Sequence, residues 1–133
     1  MTPRNLLAAL VATPLLAGAA LAQDAPAAPQ MSMEDAYAAA QNQLGVLEYC
    51  QTKATVGNEV IATQTRLMGM IPPPSDTTEA IDAYQKGKTG TVSSMGQEVA
   101  LADVAQQRST SEESLCQQMA QLVTQAGEQI PPG

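Results

Sequence analysis

Two cysteines, Cys50 and Cys116, constrain this chain of 133 residues more than any other feature, and what they can do depends on the compartment. The compartment is legible at the N-terminus. Met1 to Asn5 is short and carries Arg4, Leu6 to Leu21 is apolar apart from Thr13, Pro14 and Gly18, and Ala20-Leu21-Ala22 places small residues where a signal peptidase reads them. This is the order of a secretory signal, with cleavage expected between Ala22 and Gln23. The apolar run is short for a spanning helix, which needs ~20 residues, and Pro14 and Gly18 break it near the cut. An exported chain matures in an oxidising space, where an even cysteine count reads as a disulfide. A Cys50–Cys116 bridge closes a loop of 67 residues. Chain entropy makes such a loop worth about 4 kcal/mol. No CxxC spacing and no histidine accompany the cysteines, so a reactive or metal-binding pair is the poorer reading.

Removing residues 1–22 leaves 111 residues, a natural length for one domain, and takes the net charge from −7 to −8. Acidity of that size argues against nucleic acid and against anionic membrane surfaces, both of which select a basic footprint. Trp and Phe are absent and the aromatics are Tyr37, Tyr49 and Tyr84, so the core must be built from Leu, Ile, Val, Met and Ala. Light cores of this kind depend on a staple such as the disulfide.

Residues 23–31 are rich in Ala and Pro and read as an extended tether or a plain disordered leader. The single domain then runs over 32–130, with 131–133 as a tail. Ser32 with Asp35 three residues on is a capping-box start, and Tyr37, Ala40, Leu44, Leu47 and Cys50 form one helical face ending near Lys53. Asn58 is a candidate cap for a second helix with Val60, Gln64, Leu67 and Ile71 as its row, closed by Pro72-Pro73-Pro74. A third, short helix follows Asp76, with Ala80, Ile81 and Tyr84 inward. A fourth is expected to run to about Gln107 on Val92, Met95, Val99 and Ala102. Thr110-Ser111-Glu112-Glu113 opens the last helix, faced by Leu115, Met119, Leu122 and Ala126 and closed by Gly127. No segment alternates with period two. The reading is all-α: a small bundle of four or five short helices, with one disulfide between the first and last. That bridge makes the first and last helices antiparallel neighbours in the simplest arrangement.

The chemistry is sparse. Without histidine there is no Ser-His-Asp or Cys-His arrangement, and the paired acids at 34/35 and 112/113 are explained as helix starts. The expectation is a non-enzymatic protein with no catalytic residues and no cofactor. Gly87-Lys88-Thr89 resembles the end of a phosphate loop, but the pattern needs glycine where Asp82 stands. Met31-Ser32-Met33 and Met68-Gly69-Met70 offer thioethers of the softness Cu(I) prefers; core filling by flexible side chains is the alternative. Glutamines at 41, 43, 106, 107, 117, 118, 121 and 125 are uncharged helix faces, solvated or available for helix contacts. The partner expected on these grounds is another protein or the chain itself.

Four runs, NQLGVLEYC (Asn42–Cys50), QTRLMGMIPP (Gln64–Pro73), KGKTGTVSSMG (Lys86–Gly96) and ESLCQQM (Glu113–Met119), resemble small exported proteins of alphaproteobacteria labelled as pore-forming, of the early-secreted-antigen type. The likeness spans roughly the whole mature chain. It implies a helical fold, membrane contact and pore formation. A looser, architectural similarity is to periplasmic acid-stress chaperones, which are small, exported, helical and carry one disulfide between distant helices. If the signal reading is right, the protein recovered from the exporting cell begins at Gln23 by N-terminal sequencing; a chain retaining Met1 would overturn it.

Overall fold

The computed structural model describes residues 30–132; the signal segment with Ala20, Ala22 and Gln23, and most of the expected tether, lie outside the described residues. Within them the chain is mostly helical, with a short hairpin. The order is α1 (Met33–Lys53), α2 (Asn58–Met68), α3 (Thr78–Lys88), β1 (Thr91–Ser94), β2 (Gln97–Ala100), α4 (Leu101–Gln107) and α5 (Glu112–Glu128).

α1 starts as its sequence dictates. Ser32 Oγ accepts from the Asp35 amide at 3.0 Å, and Asp35 Oδ2 accepts from the Ser32 amide at 3.3 Å, so two donors that the helix cannot satisfy are closed reciprocally. The buried residues of α1 are Ala38, Asn42, Gly45, Val46, Leu47 and Cys50, a wider surface than the single row of larger residues implies. α1 is wide-faced because it is central: α2, α3, β1 and α5 all pack on it.

Its most extensive partner is α3, and the contact is made of very small residues. Ala38, Ala80 and Ala83 form a miniature core beside Tyr37. At the tightest point Gly45 faces Gly87. A Cβ on Gly45 would collide with the Tyr84 carbonyl oxygen and lie 2.9 Å from the Lys88 amide nitrogen; one on Gly87 would collide with the Asn42 carbonyl oxygen and lie 2.8 Å from the Val46 nitrogen. The inward face of α3 is therefore Ala80, Ala83 and Gly87, and Ile81, expected inside, is 58% exposed.

The expected fourth helix is the main correction. Its first half is an antiparallel hairpin in which Thr91 pairs with Ala100, Val92 with Val99, Ser93 with Glu98 and Ser94 with Gln97. Met95 and Gly96, at φ 52° and 74°, make the two-residue turn whose twist matches paired strands. The helix resumes only at Leu101. Val92 and Val99, spaced seven apart, satisfy a helical row and a cross-strand pair equally, and the positive-φ turn decides between them.

The larger core lies on the other side of α1. Val46, Leu47, Cys50, Val56, Val60, Leu101, Ala105, Leu115, Cys116 and Val123 are buried together. Cys50 and Cys116 are joined, with Cα atoms 5.4 Å apart and both side chains wholly buried, which ties the end of α1 to the start of α5. The broadest helix contact of α5 is nevertheless with α2. Gly127, expected as a terminal cap, is inside α5, where a Cβ would strike the Thr63 methyl of α2. Caps shift by one position elsewhere too. Gly57, not Asn58, precedes α2; Ser111, not Thr110, caps α5 by accepting from the Ser114 amide at 3.1 Å. α2 ends at Met68, so Ile71 lies beyond it.

Helix propensity alone makes Gly→Ala stabilising by about 1 kcal/mol. At Gly45 and Gly87 the collisions reverse that sign. Gly45→Ala and Gly87→Ala should each lower the urea unfolding free energy by ~1–3 kcal/mol as the helices are forced apart; a gain at either position would show that the close crossing does not hold in solution.

Candidate functional site

Two surfaces merit description, one acidic and one apolar. The acidic end lies where α1, α3 and the hairpin meet, around a cleft of about 100 Å³ whose lining includes Asp35, Glu79, Asp82, Lys86 and Glu98. Its charged groups are largely occupied with the fold. Asp35 closes the α1 cap. Lys86 bonds Asp82 at 2.7 Å and also pairs with Glu98 of β2, strapping the hairpin to α3. The two carboxylates, Asp82 first, raise the Lys86 pKa above the ordinary lysine value. Asp76, whose Oδ1 accepts from the Thr78 amide at 2.9 Å, is held below the ordinary carboxylate value by that bond.

Behind this end sits a buried asparagine, Asn42. Asn42 Nδ2 donates to the carbonyl oxygens of Ala83 at 2.8 Å and Thr91 at 2.9 Å, while its Oδ1 accepts from the Ser93 amide at 2.9 Å. One side chain thus joins α1, α3 and β1, and among the described residues no buried side-chain polar atom lacks a partner. Periodicity gave no warning of Asn42, because it is a polar residue on a face read from apolar ones.

The apolar surface lies on the opposite face of the hairpin. A groove of about 400 Å³ is lined by Val92, Val99, Leu101, Val104, Leu115, Met119 and Leu122, with Gln43, Gln118 and Arg108 beside them. The pairing register sets it: Val92 and Val99 are directly opposed and share one face of the hairpin, whereas Ser93 and Glu98 share the other. Leu122 is 64% exposed, and Arg108 is the single charged residue in the lining. On α5 the expected row of Leu115, Met119, Leu122 and Ala126 is not the fold's own interior, which takes Leu115, Cys116, Val123 and Gly127. The sequence row and the buried row share only Leu115, and the rest of the first lines this groove or faces outward.

Of the other residues singled out, Met31, Met33 and Met70 are exposed and Met68 is buried at the end of α2 near Tyr37 and Ile71. Among the described residues no cluster of three or more His, Cys, Asp or Glu is placed to hold a metal. Gly87-Lys88-Thr89 lies at the C-terminal end of α3, where carbonyl groups repel an anion, and Lys88 Nζ sits 5.1 Å from the centre of the Tyr84 ring. No helix among the described residues is long and apolar enough to cross a membrane. Comparison with protein-family models, with curated proteins and with solved structures gave no match.

Two tyrosines act as straps at the margin of the core. Tyr49 of α1 donates to Glu112 Oε1 of α5 at 2.7 Å, and Tyr84 of α3 donates to both Glu48 oxygens of α1 at 3.0 and 2.8 Å. Holding the phenolic proton against a carboxylate, with burial adding to it, raises both tyrosine pKa values. A folded pKa above the unfolded one means stability that is present at neutral pH and is lost as pH climbs from about 10, the ordinary tyrosine value, through the raised one. Urea midpoints measured across that window should fall for the native chain and fall less for Tyr49→Phe and Tyr84→Phe; identical slopes would remove the straps from the account.

Proposed function

We propose that the protein is an exported, non-enzymatic helical protein that acts by binding a protein, or itself, through the groove between the hairpin, α4 and α5. The observation that carries this is the groove: an apolar lining with an exposed leucine, on a chain of net charge −7. Exposed apolar patches rimmed by polar residues are where soluble proteins meet partners. The groups that chemistry would need have other work. The cysteines are consumed in a buried bridge, and Asp35, Asp82, Glu98, Glu48 and Glu112 cap helices or hold Lys86 and the tyrosines. Export supplies the oxidising compartment in which that bridge forms.

The test is a photo-crosslinking amino acid placed at Leu122, with the same group at exposed Ala62 of α2 as control, in cells making the full chain. A discrete protein adduct at 122 and none at 62 is expected. No adduct at 122, or equal labelling at both, overturns the reading. Dye release from lipid vesicles at micromolar protein would also overturn it, in favour of the pore-forming activity that the family resemblance implies.

A further inference from the structure

Cys50 and Cys116 are both wholly buried. Their neighbours in the larger core include Val46, Leu47, Val60, Leu101, Leu115 and Val123, all aliphatic. Among the described residues no basic side chain belongs to that core, so nothing there would hold either sulfur as a thiolate, the form that exchanges disulfides. Exchange also requires a thiolate to reach a sulfur from outside. No reagent, small or protein, reaches these two while the core is closed, so the bridge forms before the core does.

The bridge also decides whether the core can close. Cys116 of α5 returns to α1 from 66 residues along the chain. The cost of that closure has to be offset by buried side chains no larger than leucine. The smaller core of Ala38, Ala80 and Ala83 contains no residue of α4 or α5 and gives them no support. The same holds for the Gly45–Gly87 crossing and for Asn42, whose bonds go to Ala83, Thr91 and Ser93. Tyr49 to Glu112 is a single bond at the margin. A bridge over a loop of this length shifts the folding equilibrium by about a thousandfold, comparable to the whole margin of a small domain at the low end of stability.

We propose that the fold is gated by oxidation: the reduced chain stays open, a dithiol oxidant in its disulfide form bridges Cys50 and Cys116 in that open chain, and the core then closes over the bridge and withdraws it from reductants. The thiolate of one cysteine attacks the oxidant's disulfide, forms a mixed disulfide and expels one oxidant thiolate. The thiolate of the other cysteine attacks the first cysteine's sulfur in that mixed disulfide and expels the second. Two electrons pass to the oxidant, which leaves as the dithiol, and the two protons lost by the cysteines balance the two its sulfurs take up. For an exported chain, the gate keeps the reduced molecule open until it reaches the oxidising side. The gate rests on the buried bridge and is independent of what the groove binds.

The chain reduced by excess dithiothreitol and held in buffer without denaturant should lose most of the helical circular dichroism of the bridged protein, and a thiol reagent should label both cysteines at the rate found in urea. Native dichroism in the reduced chain, or labelling slowed more than about tenfold, means that it folds around free thiols and overturns the gate. In the other direction, dithiothreitol should open the bridge of the folded protein at least about a hundredfold more slowly than in urea. A smaller difference places the sulfurs within reach and overturns the withdrawal. Oxidised glutathione added to the reduced chain should remove the thiols first and restore the dichroism with or after them; dichroism restored ahead of the bridge reverses the order and overturns the proposal.

Discussion

The crossing of α1 and α3 at Gly45 and Gly87 is the constraint on which the remaining geometry depends. Two helix backbones come into contact there with no side chain between them, so the axes cannot shift without losing the contact altogether. Asn42 is carried to that crossing by α1, and its amide then spans to Ala83 of α3 and to both Thr91 and Ser93 of β1. A buried amide left without those partners would cost about 1–3 kcal/mol. The hairpin is thus held to the crossing by this polar side chain, beside the packing of Val92 on the core and the Lys86–Glu98 pair. Once it is set, Val92 and Val99 stand where they form one wall of the groove.

The disulfide does complementary work at the other end of α1. The chain lacks Phe and Trp, and its buried core is made of valine, leucine, alanine and two half-cystines. Such a core gives little burial per residue, since a Val or Leu contributes about 1.5–3 kcal/mol when fully removed from water. A bridge closing a loop between residues 66 apart in sequence limits the unfolded chain instead. Tyr49 and Glu112 join the same two helices close to the bridge, and Tyr84 and Glu48 join α1 to α3. Large aromatic residues here serve as straps at the edge of the core, and small residues fill its tightest part.

That division explains what was legible in the sequence. The Ser32–Asp35 cap, the pairing of Cys50 with Cys116 and the predominance of helix are legible in the sequence. The errors share a cause. The inward face of α3 is alanine and glycine, which an apolar row cannot reveal, so Ile81 was assigned to the core while Ala83 and Gly87 hold it. Gly127 reads as a cap because glycine ends helices often, yet here it gives way to Thr63. The hairpin was hidden because Met95-Gly96 lacks the Asn or Asp that usually announces a positive-φ turn, and because a spacing of seven serves a helix and a strand pair alike. For the groove, the residues Leu115, Met119 and Leu122 were legible as a row, but not that the fold would bury a different one.

The last point bears on why Leu122 is where it is. A chain short of bulky apolar residues gains nothing in folding from a leucine left 64% exposed. Val123, its neighbour, is buried, while Leu122 faces out at the groove. Apolar surface held outside a thin core lowers solubility and adds no stability, and the carboxylates that would offset it are confined to other faces. The glutamines flanking the row, Gln118 and Gln125, are exposed and keep its margin polar without adding charge.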